Sequence, residues 1–364
     1  MKEISFLIKP ASSLCNMACS YCFYADVSAN RTCSSMGIMD ATTSDVLIDK
    51  AFGLDVHQIN FCFQGGEPLL AGISYFEHFI SYVKSKNASI KVNYLIQTNG
   101  YLLDDKWISL FKENAFLVGI SLDGYLENHN KYRKDKNRKG TFQTIIRNLR
   151  KLEKNNIGYN ILTVLTHELS KKPKKLYDFY KKNNFKYVQL IPCLPSLDRN
   201  EIADRFSLTP RDFSNFYKEF FDYWFEDYKK GHYISVTLFD NIIPMYINIP
   251  PQQCGMLGRC QMQFIVEGNG NIYPCDFYVL DKYYCGNIKK DEIKDIITNQ
   301  VSCSFINEKR KLCKKCTDCR FNYMCHGNCK RLSVCYYDEN MCGYKDFLEY
   351  SEERMKYIAN QLIR

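Results

Sequence analysis

The chain has 364 residues, 46% of them apolar and 24% charged, with a net charge of +9. That is enough for one large domain and a smaller one, and no apolar run approaches the ~20 residues that cross a bilayer. The positive charge is spread through Lys/Glu and Lys/Asp mixtures; even the densest basic stretch, Lys131 to Lys139, contains Asp135 and reads as a solvated loop rather than a nucleic-acid patch.

From the N-terminus to about residue 200, short β-rich runs alternate with amphipathic helical patterns. Strands are expected at Ile4 to Ile8, Ile59 to Phe63, Val92 to Gln97, Phe116 to Ser121, Ile161 to Leu165 and Tyr187 to Ile191. Between them Phe76, Phe79, Ile80 and Val83 recur at helical spacing, then Trp107, Leu110 and Phe111, then Ile145, Ile146, Leu149 and Leu152. Six such units predict parallel strands joined by right-handed crossovers. Eight would close a barrel, so six predict a partial, open one. Thr209-Pro210 reads as an N-cap followed by proline at the first helical position, and Phe213, Phe216, Tyr217, Phe220 and Trp224 form the core stripe of that helix. After Pro250-Pro251 the chain turns Cys-rich and loop-rich as far as Tyr344, the character of a second domain folded around metal. A closing helix is expected from Asp346 to Arg364.

Eighteen cysteines in a chain without a secretion signal argue against a disulfide framework, because the cytosol keeps thiols reduced; a cytoplasmic protein is the expectation. Close-spaced cysteines there more often bind metal. Cys15-Asn-Met-Ala-Cys19-Ser-Tyr-Cys22 has C-x3-C-x2-C spacing directly after the first strand. Three thiolates on one short loop can hold three irons of a four-iron cluster, whose full complement is four cysteines. The fourth iron is then open, and open positions are where metal sites do chemistry. Zinc completed by a distant residue is the alternative. Gly65-Gly66-Glu67-Pro68 follows the second strand; glycines let the backbone approach a ligand closely and an acid suits an ammonium, although alone this could be an ordinary turn. The second half holds Cys260-x9-Gly270-x4-Cys275 and Cys316-x2-Cys319-x5-Cys325-x3-Cys329, with Cys342 after them and Cys254 before. Taken bare, the second group could be a zinc ribbon.

With an aromatic, Tyr21, before its last cysteine and GGEP after the next strand, the first motif resembles that of the radical S-adenosylmethionine superfamily. The later cysteine string resembles the SPASM extension of the same enzymes. Nearly the whole chain resembles the anaerobic sulfatase-maturating enzymes, most clearly in Leu7 to Tyr24, Phe63 to Pro68, Gln97 to Gly100, Ser121 to Gly124 and Ile272 to Asp281.

The resemblance implies an α/β fold: a partial (β/α)6 TIM-like barrel over 1–235, a SPASM domain over 236–345 and a C-terminal helix over 346–364. It implies three [4Fe-4S] clusters and S-adenosyl-L-methionine. Cys15, Cys19 and Cys22 would hold the first cluster; Cys254, Cys260, Cys275 and Cys329 a first auxiliary cluster; and Cys316, Cys319, Cys325 and Cys342 a second. The reaction implied is oxidation of a sulfatase Cys or Ser to Cα-formylglycine by a 5′-deoxyadenosyl radical, with Asp276 as the base. Tyr21, Gly66, Glu67, Ser121, Arg133 and Leu194 match positions around S-adenosylmethionine, and Tyr24 and Gln64 are candidates to face the peptide. The partners implied are an unfolded or nascent sulfatase polypeptide and a low-potential donor such as a flavodoxin or ferredoxin, with no nucleic acid and no membrane. Two other readings stand beside this one: a SPASM maturase that crosslinks a precursor peptide, and a zinc-stabilised binding module without activity. Cys33, Cys62, Cys193, Cys285, Cys303, Cys313 and Cys335 are given no ligand role, since buried Cys behaves as a small hydrophobe. The six His show no paired metal spacing.

Overall fold

The structure is a computed structural model that describes residues 3–86, 89–198, 204–308, 312 and 314–362. Strands and helices alternate as β1 (Glu3–Ile8), α1 (Phe23–Ala29), α2 (Ala41–Phe52), β2 (Gln58–Phe63), α3 (Ile73–Ser85), β3 (Lys91–Thr98), α4 (Asp105–Glu113), β4 (Leu117–Ser121), α5 (Leu126–Tyr132), α6 (Phe142–Lys154), β5 (Tyr159–Leu165), α7 (Pro173–Lys182) and β6 (Tyr187–Pro192). Then come α8 (Pro210–Lys229), β7 (Ser235–Val236), α9 (Thr237–Met245), β8 (Ile265–Val266), β9 (Asn271–Tyr273), β10 (Gly286–Asn287), α10 (Ile293–Thr298), α11 (Gln300–Asn307), α12 (Lys314–Thr317), α13 (Asn322–Cys325) and α14 (Gly343–Gln361). All six expected strands form. No helix among the described residues is long and apolar enough to cross a membrane.

The chain folds as two compact units, and neither is continuous in sequence. The first comprises Met1–Ser121, Asn130–Tyr159 and Gln261–Ile306; the second comprises Leu122–His129, Asn160–Cys260 and Asn307–Arg364.

In the first unit β1, β2, β3 and β4 lie side by side and parallel, with Glu3 opposite Gln58 and Ile8 opposite Phe63 at the first pairing. Alternate residues of β2 are buried, as the period of two requires. Phe61 and Phe63 meet the ring of Phe79 on α3 edge-on, with centroids 5.0 and 5.1 Å away. Trp107 of α4 meets Phe76 in the same way at 5.2 Å; such pairs add about 0.5–1.5 kcal/mol each beyond buried area. The free edge of β1 is taken by β8, parallel, through Leu7 opposite Ile265 and Ile8 opposite Val266. Strands β9 and β10 follow, antiparallel. These three strands have two or three residues each, too short for any periodicity to announce them.

In the second unit β5, β6 and β7 are parallel. Helix α8 begins where Thr209 predicts, with a full capping box: the Thr209 hydroxyl receives the Asp212 N–H and the Asp212 carboxylate receives the Thr209 N–H. Its aromatic stripe is buried. Helix α14 starts three residues earlier than expected, at Gly343, because the sulfur of Cys342 serves as its N-cap and accepts the Lys345 N–H at 3.3 Å. Gly343 abuts α8: a Cβ there would lie 1.9 Å from the Pro210 carbonyl oxygen. Residues 363–364 of the expected closing helix lie outside the described residues.

Candidate active site

The C-terminal ends of parallel strands are where α/β folds gather their chemistry. In the first unit the end of β1 opens into the cysteine loop, β2 into Gly65-Gly66-Glu67-Pro68, β3 into Asn99-Gly100, and β4 ends on the half-buried Ser121.

The cysteine loop is held from two sides. The Ala18 and Ser20 N–H groups donate to the carbonyls of Lys134 and Tyr132 at 2.8 and 3.0 Å. On the other side the Gly66 and Glu67 N–H groups donate to the Ser12 and Leu14 carbonyls, both at 2.8 Å. The approach there is so close that a Cβ on Gly66 would sit 2.1 Å from the Leu14 oxygen. The glycine is therefore required by the neighbouring loop backbone itself. Gly66→Ala is expected to displace the segment carrying Cys15, destabilising the protein by about 1–3 kcal/mol as overpacking does. An anaerobic denaturant midpoint, read beside iron content, measures that loss.

Glu67 is fully buried. Its carboxylate accepts from the Thr98 hydroxyl at 2.7 Å, the Asn99 N–H at 2.8 Å and the Leu69 N–H at 3.2 Å. Burial pushes the carboxyl up to about 7 against the pull of those donors. With its oxygens committed to these groups, Glu67 ties the end of β3 to the GGEP turn. Asn99 passes the connection on, its side-chain amide donating to Asn16 Oδ1 at 2.8 Å beside Cys15.

Arg133 and Tyr132 are buried, and the Arg133 guanidinium donates to the Tyr21 hydroxyl at 3.2 Å. Within the basic stretch Lys131 and residues 136–139 are exposed, while Tyr132 and Lys134 hold the cysteine loop through their carbonyls. Leu194 belongs to the second unit, half-buried just beyond β6, where the Arg331 guanidinium holds the adjacent Pro195 carbonyl at 2.5 Å.

The donor set suits iron–sulfur clusters. Burial pushes the Cys15 and Cys325 thiols up to about 11, so their thiolates need a cationic partner. The Nδ2 of Asn16, beside Cys15, is buried without a protein acceptor, an arrangement that costs about 1–3 kcal/mol unless something else accepts. In the second unit Cys316, Cys319, Cys325 and Cys342 line one cavity of about 630 Å³. Gly255 abuts Cys329, where a Cβ would meet Cys329 Cβ at 3.0 Å, so Cys254 and Cys329 are close neighbours. Cys260 lies in the same unit and Cys275 in the first. Of the cysteines given no ligand role, Cys193, Cys285 and Cys335 are buried, Cys62 is half-buried, Cys33 and Cys303 are exposed, and Cys313 lies outside the described residues.

Asp276 opens a short turn directly after Cys275 and is nearly buried. Its Oδ1 accepts from the Tyr24 hydroxyl at 2.5 Å and faces the Lys9 ammonium at 3.1 Å. Its Oδ2 accepts from the Gln64 amide at 3.1 Å. Tyr24 stands on α1, whose N-cap is Cys22, and Gln64 immediately precedes Gly65. One carboxylate is therefore joined to both motifs at the strand ends. Tyr24 and Gln64, expected to face a peptide, spend a polar group on Asp276. Glu267 and Arg31, which complete the cluster with Lys9, carry no motif signal in the sequence; Lys9 lies within the segment Leu7 to Tyr24 that carries the resemblance but was given no role.

Profiles described as the radical SAM superfamily and as an iron–sulfur cluster-binding domain match residues 10–180 and 254–320. A cysteine-type anaerobic sulfatase-maturating enzyme of Clostridium novyi (strain NT) is 39% identical over 369 residues, covering 100% of this chain and 99% of that protein. One of Clostridium perfringens (strain 13 / Type A) is 37% identical over 372 residues, covering all of both. A solved structure described as native anSMEcpe with bound AdoMet and Cp18Cys peptide superposes with a TM-score of 0.91 at 36% identity, over 99% of each chain.

Proposed function

This chain belongs to the family of anaerobic sulfatase-maturating enzymes within the radical S-adenosylmethionine superfamily, and on that premise we propose that it oxidises a cysteine in the active-site motif of an unfolded or nascent sulfatase to Cα-formylglycine. It is an iron–sulfur oxidoreductase of the α/β class with a SPASM extension. The cysteine target is supported by the cysteine-type relatives. The observation that carries the reading is the Asp276 carboxylate, linked through Tyr24 to the cysteine loop and through Gln64 to the GGEP turn.

When bound, S-adenosylmethionine and the [4Fe-4S] cluster that Cys15, Cys19 and Cys22 would hold supply a 5′-deoxyadenosyl radical, and the auxiliary clusters that the later cysteines would hold supply an electron acceptor. The protein's own groups bind, orient and move the proton. By the resemblance Arg133 would pair with the methionyl carboxylate, Gly66 and Tyr21 would offer backbone, Ser121 and Leu194 would each match a position around S-adenosylmethionine, and Glu67 keeps the turn in register. Asp276 takes the thiol proton, which a general base must have within hydrogen-bond reach. The target CH2SH loses a hydrogen atom from Cβ, a proton from sulfur and one electron; water then replaces sulfur, hydrogen sulfide leaves, and the aldehyde remains.

The division into a barrel over 1–235, a SPASM domain over 236–345 and a closing helix over 346–364 belongs to the same proposal, as do residence in the cytoplasm and reduction by a flavodoxin or ferredoxin. The test is an anaerobic reaction of the reconstituted enzyme with reductant, S-adenosylmethionine and a sulfatase-motif peptide containing cysteine. Mass spectrometry is expected to find formylglycine and 5′-deoxyadenosine together. A crosslinked peptide, or a protein isolated with zinc and no iron, would overturn the reading.

A further inference from the structure

Behind Asp276 lies a buried ionic group that the reaction scheme leaves unused. Lys9 is 1% exposed and closes β1 just before Pro10. Its ammonium stands 3.1 Å from Asp276 Oδ1, 3.9 Å from Glu267 Oε1 and 4.1 Å above the centre of the Tyr24 ring. Glu267, also 1% exposed, accepts from the Arg31 guanidinium at 2.8 Å. Arg31 is itself fixed by the Ser12 hydroxyl and the Ser34 carbonyl. Burial would raise the Glu267 carboxyl, yet the charges of Lys9 and Arg31 hold it below the usual carboxylate range. The four charges balance: two cations and two anions, all in the first unit.

Burying a lysine is costly unless it is paired and hydrogen-bonded, and Arg31 alone would neutralise Glu267. The position of Lys9 has a different effect. Its ammonium and the Tyr24 hydroxyl converge on one oxygen of Asp276, whereas the other oxygen receives a neutral amide. A carboxylate held at one oxygen by a cation backed against a second, anchored anion has its plane and its free lone pairs fixed.

We propose that Lys9 is a positioning residue for Asp276: braced by Glu267 and Arg31, it locks Oδ1 and leaves Oδ2 as the oxygen that receives the thiol proton. This rests on Asp276 being the base. Loss of Lys9 frees the carboxylate to rotate. Radicals then form at the normal rate, but fewer of them end in product.

The experiment compares Lys9→Met, the double variant Lys9→Met/Glu267→Gln, and Asp276→Asn as anaerobically reconstituted holoenzymes. The readouts are moles of 5′-deoxyadenosine released per mole of formylglycine, KM for the cysteine peptide, and iron content. The expected result for Lys9→Met is a ratio raised about tenfold or more, in keeping with the cost of small misplacements of a reacting group, with KM and iron unchanged. The double variant keeps the buried charges balanced, so it is the one to read if the single variant loses iron; it is expected to stay uncoupled. A wild-type ratio in the double variant, or in a fully loaded single variant, would overturn the proposal. Asp276→Asn separates the two readings: if it too couples normally, the base assignment fails, whereas if it alone uncouples, only the role of Lys9 fails.

Discussion

Asp276→Asn is expected to cut formylglycine formation by roughly 10²–10⁴-fold, the usual contribution of a positioned general base, while all three clusters assemble and S-adenosylmethionine is still cleaved. The amide is isosteric, and where its nitrogen replaces Oδ2 the Gln64 side chain can turn its own oxygen to face it. It can still accept at its carbonyl oxygen, but neither atom takes a proton at neutral pH. The loss therefore falls on the proton step. Quantifying 5′-deoxyadenosine and formylglycine in one reaction tests this, and undiminished turnover would remove Asp276 from its assigned role.

The other large effect concerns the early thiolates. Replacing Cys15, Cys19 and Cys22 together by alanine is expected to abolish S-adenosylmethionine cleavage altogether. Iron should fall from about twelve to about eight atoms per chain, the count left by two fully ligated four-iron clusters. The later cysteines are expected to remain loaded: Cys316, Cys319, Cys325 and Cys342 line a cavity of the second unit, distant in sequence from the cysteine loop. Iron quantification and the reductive cleavage assay, run side by side, decide it. A variant that kept its full iron complement would show that these cysteines are not ligands.

The barrel was legible because each of its six strands carries enough residues for a period of two, and α3, α4 and α6 enough for a period of 3.6. The start of α8 was legible from Thr209-Pro210. The two cysteine groups stood out by spacing, and the resemblance proposed which of them are cluster ligands. What the sequence hid is made of contacts between distant residues. Glu267 and Arg31 are 236 positions apart, and nothing local marks either as the brace behind Lys9. Tyr24 and Gln64 were drawn to the site by their neighbours, but their hydrogen bonds to Asp276 span 252 and 212 positions. The early start of α14 was hidden for another reason: a cysteine is not an expected N-cap, and Cys342 takes that part because its sulfur already faces the helix end.

The situation of β1 bears on how the polypeptide matures during synthesis. One edge of this strand bonds to residues 58–63, made early, and the other to residues 265–266, made about 200 residues later. At 5–20 residues per second the ribosome needs about 10–40 s to cover that interval. Throughout it the strand that leads into the cysteine loop has a ladder of hydrogen-bonding groups open to stray pairing. A fragment ending before the β8–β9 hairpin would carry that edge of β1 unpaired, a template for association with other chains.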